Sequence, residues 1–165
     1  MFYVKIILAL AIAVALPACG SYRPLYGKGP SGEGVSSSLS SVAVPEQHDR
    51  IGQLLRNSLL TSMSGNSSQR YVLKLALIEK IIDVSVLSAS NLHRKRLNVS
   101  AQYELVETSS GAIANSGSSF SNVSYDVVKQ PVADLQAAEN AEERAAQELA
   151  QDIRQRIAAY FSTKH

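Results

Sequence analysis

Leu97-Asn98-Val99-Ser100-Ala101-Gln102-Tyr103-Glu104-Leu105-Val106 is the stretch on which the fold turns. Apolar residues stand at 97, 99, 101, 103 and 105 and polar ones at 98, 100, 102 and 104. Successive side chains of an extended chain point to opposite faces, so this segment predicts a half-buried β-strand with one wet face. Ser109-Ser110-Gly111 follows as a hairpin turn. The next strand, Ile113 to Val127, is weaker: Gly117 amid serines breaks the alternation and predicts a bulge or an edge before Val123 and Tyr125 resume it.

Upstream, Tyr71, Leu73, Leu75 and Leu77 alternate with Val72, Lys74, Ala76 and Ile78, a second period-two strand whose odd-numbered face should meet helices. Before it, Val42-Ala43-Val44 predicts a short strand stopped by Pro45. From about Glu46, Ile51, Leu55, Leu59 and Met63 recur at steps of four with Leu54 beside them, a helix that Gly65-Asn66 ends. The last segment, from roughly Pro131 to Phe161, is rich in strong helix formers. Ala138, Ala141, Ala145, Leu149, Ile153, Ile157 and Phe161 form its single apolar stripe. The order strand, helix, three strands, helix predicts an α+β, two-layer sandwich: a mostly antiparallel four-stranded sheet with two helices packed on one face. No internal repeat is visible.

The first 18 residues read differently. Lys5 and the amino terminus make a weak positive region, and Ile6 to Leu16 is an unbroken apolar run, long enough for a signal-peptide core and too short for the roughly 20 residues of a transmembrane helix. Leu16-Pro17-Ala18-Cys19-Gly20 places a small residue before the only cysteine and resembles a lipobox. The expectation is therefore a signal peptide over 1–18, lipidation of Cys19, and a lipid-anchored chain facing the periplasm. More than one acyl chain on Cys19 meets the condition for stable anchoring. Gly20 is not the aspartate that resembles an inner-membrane retention signal, which favours the outer membrane. A lone thiol in an oxidising compartment would otherwise be a liability.

Residues 19–41 then predict a lipidated flexible tether, since Ser21 to Ser41 carries Pro24, Gly27, Gly29, Pro30, Gly32, Gly34 and a serine run without periodicity. Tyr22-Arg23-Pro24-Leu25-Tyr26-Gly27 within it is a compact aromatic and basic cluster, compatible with anchoring at lipid headgroups. One domain over 42–165 accounts for the rest, within the usual roughly 100–200 residues. Removing Lys5 with the leader takes the 16 basic residues of the chain to 15, against 14 acidic ones. No overall field draws nucleic acid, and an anion site has to be local.

These residues carry a resemblance. Cys19 to Gly27, then Asp49-Arg50-Ile51-Gly52-Gln53-Leu54-Leu55-Arg56-Asn57-Ser58-Leu59-Leu60, is similar to the start of the lipopolysaccharide-assembly lipoproteins of the LptE family, in its alphaproteobacterial branch. Ala101-Gln102-Tyr103-Glu104-Leu105 before the hairpin, Ser124-Tyr125, and Glu143-Arg144-Ala145-Ala146 running on to Ile157-Ala158-Ala159-Tyr160-Phe161 resemble its middle and end. The resemblance implies a non-enzymatic protein seated in the lumen of the outer-membrane β-barrel LptD. It would help that barrel assemble and bind lipopolysaccharide in transit. A nearly neutral, polar-surfaced, exported domain suits the polar interior of a large barrel independently of the family.

The feature nearest to ligand chemistry is His93-Arg94-Lys95-Arg96, expected on the loop that leads into the Leu97 strand. Arg94, Lys95 and Arg96 are the candidate lipopolysaccharide-binding residues, because guanidinium groups grip phosphates and carboxylates bidentately and lysine meets them as a point charge. The alternatives are a solvated loop or contacts to carboxylates of the barrel wall. Catalytic and cofactor patterns are missing: His48, His93 and His165 share no ligand spacing, and no HExxH or Gly-rich phosphate motif occurs. Neither a metal nor a cofactor is expected. Glu139, Glu142 and Glu143 read as a solvated helix flank. The competing reading is a generic outer-membrane lipoprotein that binds another periplasmic protein or cell-wall material.

Overall fold

Four strands form one sheet in the order β1-β2-β3-β4: β1 (Val42–Ala43), β2 (Tyr71–Val84), β3 (His93–Glu107) and β4 (Ile113–Val127). Among the described residues three helices complete the fold, α1 (Val35–Ser40), α2 (Arg50–Met63) and α3 (Pro131–Lys164). The computed structural model describes residues 34–63, 68–84, 93–127 and 130–164. Cys19, the leader and all but the end of the expected tether lie outside them.

The alternation that predicts the central strand is realised: Leu97, Val99, Ala101, Tyr103 and Leu105 are all buried, while Ser100, Gln102 and Glu104 are exposed. β3 pairs antiparallel with β2 on one side and with β4 on the other, and β1 adds to β2 in parallel through Val42 opposite Tyr71. The sheet is thus mixed, antiparallel except for this two-residue edge. A parallel neighbour needs a crossover, and α2 supplies it.

α2 and α3 cover the odd-numbered face of β2, β3 and β4, as expected. Ile51, Leu55, Leu59 and Met63 of α2 and Ala141, Ala145, Leu149, Ile153, Ile157 and Phe161 of α3 are buried in one core. Alanines at 141, 145, 146, 150 and 158 keep the α3 stripe thin, so α2 packs beside it. α2 begins at Arg50 and not near Glu46. The Asp49 carboxylate accepts from the Gly52 N–H at 3.0 Å, which satisfies one orphan donor of the first turn and fixes the start.

Three further expectations are corrected. The spacer expected through Ser41 gives way at its end: Val35 and Leu39, four apart on α1, are buried against the helices, and the Ser41 carbonyl accepts the Arg70 and Tyr71 N–H groups at 3.0 and 3.2 Å. Gly117 sits in regular pairing opposite Tyr103, and the extra residue of β4 is Ala114, between the pairs Leu105 with Asn115 and Val106 with Ile113. Gly117 is glycine for another reason: a Cβ there would lie 2.7 Å from the Tyr103 hydroxyl. β4 is nevertheless an edge strand, as one of the two expectations had it. The third correction concerns the basic segment, taken up below. The hairpin turn itself is as expected, with Gly111 in the left-handed region at φ 70° and its N–H donating to the Glu107 carbonyl at 2.8 Å.

Candidate functional site

His93, Arg94, Lys95 and Arg96 are the first residues of β3, so their expected placement in a loop is wrong. Backbone pairing on both sides holds them extended: Arg94 stands between Val84 and Asp126, Lys95 between Asp83 and Tyr125, and Arg96 between Ile82 and Ser124. Ladder bonds need no particular side chain, which is how a fully charged run becomes a strand. The consequence is geometric. Arg94 and Arg96 point to the face without helices and Lys95 to the helix side, so the three cations do not converge on one point.

Their surroundings differ as well. Arg94 Nε lies 2.8 Å from Asp126 Oδ1 across the strands, with both side chains about half exposed. This hydrogen bond holds the Arg94 guanidinium above its ordinary range and the Asp126 carboxyl below its own. Lys95 lies beside Tyr125, whose phenol burial pushes up while Lys95 pulls it down. Arg96 has no carboxylate partner among the described residues. His93 is exposed at the head of β3 and His48 in the bend before α2; His165 lies outside the described residues.

The glutamates of α3 are not all solvated. Arg50 at the head of α2 bridges Glu139 at 3.3 Å and Glu142 at 2.8 Å, tying the two helices together. Burial, then Glu142 and Asp49, raises the pKa of Glu79 on the β2 strand beneath. Outside this bridge, an open groove of about 380 Å³ runs between α2 and α3, lined by Leu54, Asn57, Ser58, Thr61, Gln147 and Gln151 among others. Its lining is apolar in greater part, with Leu54 and Ala150, rimmed by neutral hydrogen-bonding groups and one acid, Glu143. Among the described residues no group of His, Cys, Asp and Glu is placed to hold a metal ion, and no helix is long and apolar enough to cross a membrane.

A feature not evident from the residue types alone lies on the face of the sheet that none of the described helices covers. Ile78, Ser100 and Phe120 form one row across β2, β3 and β4; Lys80, Asn98 and Asn122 form the next, and Ile82, Arg96 and Ser124 the one after. Phe120 is 74% exposed and Ile78 66%. The signal was the alternation itself, which puts 98, 100 and 102 of β3 on a wet face without revealing which residues of β2 and β4 share it.

Comparison with known proteins agrees with this architecture. The LptE family, described as lipopolysaccharide-assembly, matches residues 38–157. A candidate lipoprotein from Caulobacter crescentus CB15 superposes with a TM-score of 0.70 at 30% identity, covering 79% of this chain and 97% of its own. The rare lipoprotein B of Shewanella oneidensis aligns at 15% identity with a TM-score of 0.54, over 75% of this chain and 97% of its own. A minor lipoprotein from Acinetobacter baumannii aligns at 18% identity and 0.51, over 72% and 90%. The last two show the fold alone. No curated protein matches the chain.

Proposed function

Because this chain belongs to the LptE family of lipopolysaccharide-assembly proteins, we propose that it is an outer-membrane lipoprotein, anchored by lipid on Cys19, that plugs and helps assemble the LptD β-barrel and binds lipopolysaccharide on its way to the outer leaflet. The observation that carries the reading is the family match over 38–157, which spans the whole sheet and most of α3. It acts by binding and not by catalysis.

Arg94, Lys95 and Arg96 remain the proposed lipopolysaccharide contacts, now with unequal parts. Among the described residues the Arg96 guanidinium has no carboxylate partner, whereas Arg94 has to exchange Asp126 for a phosphate. Detergent extraction followed by affinity purification of the tagged full chain tests the partner. Recovery of a large heat-modifiable β-barrel supports the proposal. Recovery of a soluble periplasmic protein or peptidoglycan, with no barrel, supports the generic binding module instead.

A further inference from the structure

The helix-free face of the sheet is amphipathic in a pattern that suits one kind of ligand. Ile78 and Phe120 flank the small Ser100, so two exposed apolar side chains bracket a shallow trough about two strand spacings, roughly 10 Å, wide. One row on is Lys80, and two rows on Arg96 stands between Ile82 and Ser124. Alternate residues of a strand are about 7 Å apart, so both cations lie within about 15 Å of the trough along the strands. The other charges of this face are matched within it: Lys74 stands opposite Glu104, and Arg94 pairs with Asp126. Lys80 and Arg96 are left without a carboxylate partner among the described residues.

Large apolar side chains that a domain leaves in water beside uncompensated cations match an anionic amphiphile, whose acyl chain covers the first while its phosphate meets the second. Resting on the reading above, we propose that this face cradles the lipid A part of lipopolysaccharide, with acyl chain over Ile78, Ser100 and Phe120 and phosphate between Lys80 and Arg96. Lys95, on the helix side, lies outside this cradle. The helix groove has an apolar floor with Leu54 and Ala150, but it carries no cation and one acid, Glu143, so it offers nothing to meet a phosphate.

The test uses the full chain in living cells. A photoreactive p-benzoylphenylalanine replaces Phe120 or Ile78, and Gln151 in the helix groove serves as the control position. After irradiation, adducts are probed for lipopolysaccharide and for protein. The expected result is a lipopolysaccharide adduct at 120 and 78 and little at 151. Removing Lys80 or Arg96 alone by K80A or R96A should lower it about tenfold, and removing both about a hundredfold, since charge-assisted bonds to phosphate contribute at least a factor of about ten each. Phe120 is exposed, so its replacement does not threaten the fold, and retention of the barrel on purification checks this. A protein adduct at 120, or equal lipopolysaccharide labelling at 151, overturns the assignment of the face. No adduct at 120 or 78 while the barrel still co-purifies overturns the cradle and leaves the family reading standing. Failure of the barrel to co-purify with the unmodified chain would sink that reading itself.

Discussion

Replacing Gly117 with alanine is expected to destabilise this domain, against the usual sign of the exchange. Within a strand, alanine ordinarily gains roughly 0.5–1 kcal/mol over glycine, because glycine loses more backbone freedom on folding. Here the new methyl would lie 2.7 Å from the Tyr103 hydroxyl oxygen, 2.9 Å from Cζ and 3.0 Å from Cε1. Tyr103 is 3% exposed and its ring is hemmed in by the core, so it cannot simply swing into solvent. Overpacking of this kind costs about 1–3 kcal/mol, which leaves a net loss of about 1 kcal/mol after the backbone gain. For a domain of this size that is a fall in Tm of roughly 4 °C. The assay is thermal unfolding by circular dichroism of G117A in two backgrounds, unaltered and Y103L. The smaller side chain vacates the space the methyl needs, so in that background G117A should turn neutral or stabilising, a coupling of about 1 kcal/mol. A stabilising G117A in the unaltered protein, or the same effect in both backgrounds, would refute the contact.

Three other perturbations probe different parts of the molecule. Leu149 is fully buried on α3, and L149D places an unpaired carboxylate in the core of a domain stable by only about 5–15 kcal/mol; the cooperative melt should vanish, and a normal melt would disprove the packing. Burial raises the Glu79 pKa with help from Glu142 and Asp49, so the folded state keeps this proton to higher pH than the unfolded chain and is penalised once it leaves. E79Q should therefore raise Tm at about pH 7, the gain shrinking as pH falls through the raised value and disappearing below the ordinary glutamate range; a gain equal at about pH 4 and pH 7 contradicts this. C19S should abolish incorporation of labelled palmitate, and unchanged labelling would reject lipidation at that residue.

What could be read in advance was what a residue's own type reveals. The β3 alternation from Leu97 to Leu105 and the α3 stripe from Ala141 to Phe161 were legible because burial there is enforced by apolar side chains at the right period. β4 concealed its face behind serines: Ser119 and Ser121 are buried, and Ser121 Oγ donates to Glu148 on α3 at 2.5 Å, so polar residues stand where an alternation test looks for apolar ones. The far end of β2 was hidden differently. Ile81 and Ile82 are consecutive and both exposed, so no period runs through them, and only pairing with Leu97 and Arg96 makes them strand. The same pairing turned the basic run from loop into ladder and so divided its cations between two faces. α1 was lost among serines because two apolar residues cannot establish a period.

The seat of α1 also bears on when this protein can finish folding. Its Val35 and Leu39 close the core against α3, which comprises the last described residues of the chain. The first packed element therefore waits for the final one, across nearly the whole sequence, and the entropy of closing that loop is met before the contact returns anything. If the chain is exported as proposed, α1 would emerge early and lack its main packing partner until α3 had followed it across the membrane. A chain halted before α3 would leave the part of the apolar odd-numbered face that α3 covers, above all on β4, open to water, the state in which a chaperone has most to hold.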